Sequence, residues 1–365
     1  MKKKRETLGF HCLSTYRNEL FSISIISIIF FHFCENFIKS SSLTGIKLLP
    51  FRLYLNMVSS IGVEIFVLLS GLGLYFSFRK NSEIKGFYCK RFLRILVPYG
   101  IFAGIAWFVI EIISKGDFWG YIYNFSLLSF WTNGNIMLWY IAFTLLMYLA
   151  FPLIFSIINS EHSGRNTIIA LAVLYVVLFA CENLSKSGFD NIEIALWRIP
   201  IFIIGTYFGK LAYEKQKLNV WHYVFFIFCL LQKVFYAFMN MCFGAENISE
   251  PFTAIFDVMH KYSRAFNGLY SLGLVFLLVV IFRALNSNII AKISLPISKV
   301  TLELYMTHVT LRNISNRLHL PIGEVWYFLI YLSASIIITI ILNIVSNKII
   351  HKITAKYQIS AKHYK

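Results

Sequence analysis

The sequence predicts an all-α, polytopic integral membrane protein with about ten transmembrane helices. Of its 365 residues, 58% are apolar, 18% aromatic and only 14% charged, and the mean hydropathy is +0.67. That is more apolar surface than one soluble core can hide. Nearly uninterrupted apolar runs recur, each long enough to cross about 30 Å of hydrocarbon as a helix. The strands of an outer-membrane barrel would instead alternate apolar and polar residues, so a barrel is excluded.

Taken in order, the apolar runs place spans at Glu19 to Ile38, Ser59 to Phe78, Ile95 to Ser114, Leu138 to Ile158 and Thr167 to Asn183. Five more follow at Trp197 to Tyr213, Val220 to Met241, Phe266 to Leu285, Ser294 to Val309 and Val325 to Ser346. The ninth is the weakest, because it is short and carries Lys299, Glu303 and His308, so nine crossings or a re-entrant segment is the alternative there. An even number of spans puts both termini on one side. The predicted organisation is a basic cytoplasmic N-terminus (1–18), a transmembrane domain (19–346) and a basic cytoplasmic tail (347–365).

Charge tests the span count independently of hydropathy. The chain carries 34 Lys and Arg against 17 Asp and Glu, a net charge of +17. With the N-terminus inside, most of the basic residues fall on the cytoplasmic face: Lys2 to Arg5, the tail from Lys348, and the stretch Arg79 to Arg94. That stretch holds Arg79, Lys80, Lys85, Lys90, Arg91 and Arg94 against a single acid, Glu83. This is the positive-inside pattern of a cell-membrane protein facing anionic lipid. Nucleic acid explains it poorly, since the cations are dispersed over separate loops. The first apolar run is as long as a span and lacks a small-x-small cleavage site, so it reads as a retained anchor. The six cysteines stand singly, with no metal-type spacing and no disulfide framework, and no metal site is expected. A phosphate-binding glycine loop, a nucleophile elbow and a zinc-protease helix are also missing.

Ionisable groups inside apolar spans are expensive there, which makes them candidates for function. His32 lies about 18 Å into the first span at 1.5 Å per residue. Glu35 follows on the same helical face, where a carboxylate can orient an imidazole that acts as a base toward a hydroxyl. The bland alternative is an interfacial histidine with a solvated carboxylate. Glu64 and the Ser70-Gly71 pair occupy the second span, where a headgroup carboxylate and close helix packing are the structural readings. Arg198, Glu303 and His308 are further candidates, each with a capping, snorkelling or packing alternative. Arg91 and Arg94, one turn apart, are either a cation pair at the inner mouth of a site or a topology signal.

In their order along the chain these features resemble a known family. They are Arg17 to His32, GVEIFVLLSG (Gly62 to Gly71), FYCKRFLRILVPY (Phe87 to Tyr99), LWYIAFTLLMYLAFPLIF (Leu138 to Phe155) with WRIPIFIIGTYFG (Trp197 to Gly209), and TLELYMTHV (Thr301 to Val309). The chain is similar to the integral-membrane acyltransferases of type 3, among them bacterial enzymes that O-acylate cell-surface polysaccharides, from about Tyr16 to Ser346. The resemblance implies that His32 is the family's essential first-span histidine. It also implies that Arg91 and Arg94 are its Arg-x-x-Arg pair serving the acyl donor at the cytoplasmic face. Acyl-CoA would be a co-substrate, no cofactor would be permanently bound, and the acceptor would be a glycan or lipid-linked saccharide. Two guanidiniums suit the phosphates of coenzyme A, and Ser70 or Tyr305 would be placed to donate to the thioester oxygen.

One departure stands out. Where family members carry an arginine about three helical turns before the histidine, this chain has Phe21 or Ser22; Arg17, the nearest upstream arginine, is about 22 Å of helix from His32. The rival reading, from the residues alone, is a multi-span transporter or flippase for a lipid-linked or anionic solute.

Overall fold

The computed structural model describes residues 7–40, 45–57, 61–242, 252–318 and 324–363. Among these the chain is helical almost throughout, and the only β pairing is an isolated bridge between Gly9 and Lys217. Nine of the described helical segments are long and apolar enough to cross a membrane. They correspond to the expected spans other than the ninth: the first, fourth, fifth, seventh and eighth lie nearly as placed, whereas the second, third and sixth begin well before, and the tenth ends well beyond, their predicted limits.

The chain forms two compact units. The first comprises Met1–Lys80, Leu153–Ala180 and Leu196–Lys299. Its core is a set of helices held at backbone-contact distance by glycine. The helices Ile61–Lys80 and Ile199–Tyr213 run parallel: Gly71 lies against Phe202 and Thr206, Gly205 against the Leu68 carbonyl, and Gly209 against Leu72 and Tyr75. A methyl group on Gly209 would meet the Tyr75 Cβ at 2.7 Å. In lipid the helices gain nothing from leaving water, so such close van der Waals approach is what joins them. The helix Arg17–Ser40 runs antiparallel to Ile61–Lys80, with Gly62 against Ser24 and Ile28 and Gly73 against the Arg17 guanidinium.

The second unit comprises Asn81–Pro152, Cys181–Ala195 and Val300–Lys365. The helix Ile84–Trp107 continues into a π-helical turn, Phe108–Ile113. Against it packs Thr301–Leu318, which also packs on the long helix Glu324–His363. The last two are joined by polar contacts, including Thr307 Oγ1 to Thr339 Oγ1 at 2.8 Å.

Three sequence expectations are corrected. The ninth span, Ser294 to Val309, is not one helix: it breaks at Val300 between Asn288–Lys299, which contains Pro296, and Thr301–Leu318. Thr301–Leu318 is too polar to face lipid, yet from Glu303 to Thr310 every residue is buried by protein, which spares Glu303 and His308 contact with hydrocarbon. The basic stretch Arg79 to Arg94 is not a loop, since only Asn81 to Glu83 leave the helical conformation. Lysine and arginine are good helix formers, so the helix is built through them. Arg91 and Arg94 accordingly sit about two turns inside Ile84–Trp107 rather than at its opening. The tail likewise stays helical to His363; Lys2 to Arg5 lie outside the described residues.

Candidate functional site

The first unit holds the histidine. His32 lies in the C-terminal half of Arg17–Ser40, with its Nδ1 3.6 Å from Glu35 Oε2, and the two side chains are 18% and 31% exposed. This is an ion-pair approach, longer than a hydrogen bond. Glu35 is shared, because Lys39 Nζ donates to its other oxygen at 3.2 Å. Lys39 was legible as the residue four after Glu35, a spacing at which opposite charges meet on a helix. At the place of the family's upstream arginine, Phe21 packs on Phe66 at 5.3 Å between ring centres, and the Ser22 hydroxyl donates to the Ser294 carbonyl at 2.8 Å. Arg17 stacks over Phe21 at 5.1 Å.

Glu64 and Arg198, both candidates from sequence, are brought together. Arg198 Nη2 lies 2.9 Å from Glu64 Oε1, with the side chains only 7% and 2% exposed. The parallel packing through Gly71 and Gly205 sets this register, placing the first turn of one helix beside the residue that precedes the other. Lys233 and Arg264 are close enough to act on the Glu64 charge as well, and Lys233 Nζ is held by Asn267 Oδ1 at 2.8 Å. Ser70, by contrast, donates to the Phe66 carbonyl of its own helix at 2.7 Å.

The second unit holds the arginine pair. Arg94 grips Glu303 with both arms of its guanidinium, Nη1 to Oε1 at 2.9 Å and Nη2 to Oε2 at 3.5 Å. Glu303 is fully buried and Arg94 is 37% exposed. Asn343 Nδ2 supports the same carboxylate oxygen at 3.1 Å, a contact between residues forty apart that the sequence does not announce. Arg91, half-buried, has its guanidinium carbon 5.9 Å from the centre of the Phe87 ring, and no carboxylate among the described residues pairs with it. His308 is buried on the helix of Glu303 and tilts against Tyr331 at 6.3 Å. Tyr305 meets Tyr140 edge-on at 5.4 Å. Among the described residues no group of three or more His, Cys, Asp or Glu is arranged to hold a metal ion.

The chain thus combines a first-span imidazole beside a carboxylate, an intramembrane carboxylate salt-bridged to arginine, and an Arg-x-x-Arg turn on the third apolar helix. A family model described as an acyltransferase domain, that of acyltransferase type 3, matches residues 22–344. The chain belongs to this family. It is therefore a membrane acyltransferase, and the match covers all of the candidate residues. No curated protein and no solved structure matches the chain.

Proposed function

We propose that this membrane acyltransferase moves an acyl group, acetyl by default, from cytoplasmic acyl-CoA to a hydroxyl of an extracytoplasmic or lipid-linked glycan. The observation that carries the reading is the division of labour in the Arg-x-x-Arg turn. Arg94 is fixed in place by Glu303, while Arg91, beside the Phe87 ring, pairs with no carboxylate among the described residues. Such a guanidinium beside a rigid, part-exposed one suits the several phosphate charges of coenzyme A. These residues lie in the basic stretch assigned to the cytoplasm, where the donor is found. The parallel run of the second and sixth apolar segments supports a chain that alternates direction at each crossing.

His32 then acts as general base. It takes the proton of the acceptor hydroxyl as the oxygen attacks the thioester carbon; when the tetrahedral intermediate collapses the C–S bond breaks, and the imidazolium returns the proton to the leaving thiolate. Ester and free coenzyme A are the products. Glu35 stabilises the imidazolium through space, moderated by Lys39.

The test is the mass spectrum of surface glycans from cells carrying the wild type or His32→Ala. The wild type should add the mass of one acyl group, and His32→Ala should lower transfer by about 100-fold or more while protein level and acyl-CoA binding persist. A His32→Ala protein that still acylates glycan ends the mechanism, and a wild type that alters no glycan ends the reading that the acceptor is a glycan. Single cysteines test the orientation: one at Glu83 should react with an impermeant thiol reagent only after permeabilisation, and one at Trp119 from outside.

A further inference from the structure

At the end of the third apolar segment away from Arg91 and Arg94, the second unit holds a half-open cavity of about 310 Å³. Trp107, Glu111, Lys115, Asn124, Asn135 and Asn313 supply its polar lining. Trp107 is thirteen residues beyond Arg94, about 20 Å along the helix axis. The local backbone departs from the α-helix here, because Phe108–Ile113 is a π turn, a feature frequent at functional sites.

The carboxylate in this cavity is built in. Glu111 is 3% exposed and receives Lys115 Nζ at 2.9 Å on each oxygen and Asn124 Nδ2 at 3.2 Å. Asn124 is held in turn by Asn135 Nδ2 at 2.9 Å. Gly134, at φ +68°, makes the turn that delivers Asn135, whose side chain then accepts the Met137 N–H. The wall is therefore fixed before any ligand arrives. One group remains unserved. The indole N–H of Trp107 is buried and finds no acceptor among the described residues, although buried indole nitrogens ordinarily find one.

We propose that this cavity is a binding site for one sugar residue of the acceptor. The indole offers a flat apolar face for the C–H face of a pyranose and a hydrogen-bond donor for a ring or hydroxyl oxygen. Glu111 accepts from hydroxyls, and Lys115 and Asn313 add polar groups to the lining. Because Glu111 and Lys115 cancel in charge, the site suits a neutral, hydroxyl-rich ligand rather than a phosphate. The volume is at the low end for small-molecule sites, sized for a single ring with the rest of the acceptor outside. This inference rests on the reading that the acceptor is a saccharide.

The experiment is saturation-transfer NMR of the full-length protein in nanodiscs with glucose, galactose, rhamnose and N-acetylglucosamine. At least one sugar should bind to the wild type. Trp107→Phe keeps the ring and removes the donor, so binding should weaken about fivefold. Glu111→Gln should weaken it comparably, with acetyl-CoA binding unchanged in both as the check on folding. Equal sugar binding in wild type, Trp107→Phe and Glu111→Gln overturns the proposal, as does a wild type that binds none of the four. The His32→Ala protein separates the two readings: it should keep sugar binding while losing transfer. Sugar binding insensitive to Trp107 and Glu111, alongside transfer that depends on His32, removes this site and leaves the enzyme reading standing.

Discussion

Each unit buries one glutamate against one arginine at the same distance, 2.9 Å, yet the two pairs are not equivalent. In Glu64–Arg198 both partners are sealed, with further cations acting on the carboxylate. In Arg94–Glu303 the carboxylate is fully buried and the guanidinium is 37% exposed. A sealed pair is placed to hold helices in register, since neither charge reaches solvent. A half-open pair can do that and still present cationic hydrogen-bond donors at its open side. The same ion pair is thus sealed in one place and part-open in the other, and only the part-open one presents cationic donors to solvent.

The largest effect should come from splitting the sealed pair. Glu64→Ala leaves the buried Arg198 without its carboxylate and should cost about 3–5 kcal/mol, and Arg198→Ala, with Lys233 and Arg264 still acting on Glu64, should cost somewhat less; both are read as loss of monodisperse protein or of thermal stability in detergent. The double variant Glu64→Leu with Arg198→Met should recover most of that, since replacing both partners removes the stranded charge. If the single variants are fully stable, the pair is not structural and the comparison fails.

The half-open pair should respond unequally to its two deletions. Arg94→Ala strands the buried Glu303 and should approach the cost of the sealed pair, about 3–5 kcal/mol. Glu303→Ala leaves a cation that water can still reach and should cost only about 1–3 kcal/mol. Equal costs would show that exposure does not govern the difference.

A smaller, functional contrast separates the two arginines themselves. Arg91→Lys and Arg94→Lys keep the charge and hence the orientation, but lose the forked geometry. Both should raise the apparent KM for acyl-CoA, by about tenfold, and only Arg94→Lys should also lower the melting temperature. Unchanged donor affinity in both variants would return the basic turn to a topology signal. The smallest effect is expected at Lys39, where replacement by Met frees one oxygen of Glu35; transfer should change by about threefold or less, as befits one exposed helix-surface ion pair.

Much of this was legible in the sequence because the bilayer imposes a strict rule: a chain segment crossing hydrocarbon must be helical and apolar unless protein covers it. That rule located the first eight spans and the last, marked the ninth as anomalous, and reduced the candidate residues to a few intramembrane charges. The order of those charges along the chain was enough to suggest the family. Helix limits were less legible, because lysine and arginine continue a helix as readily as they end a membrane span, as at Arg79 to Arg94 and in the tail.

What only the tertiary structure decided is which charges meet. Glu64 and Arg198 are 134 positions apart, and Glu303 lies 209 from Arg94; each was a lone candidate until helix packing paired it. The same holds for Asn343 on Glu303, and for the cavity that brings Trp107 and Glu111 together with Asn124, Asn135 and Asn313. Hydropathy is a property of one segment against lipid, so a sequence carries it locally. Pairing depends on the rotation and register of whole helices, which close contacts such as Gly205 on Leu68 set only once the helices have packed.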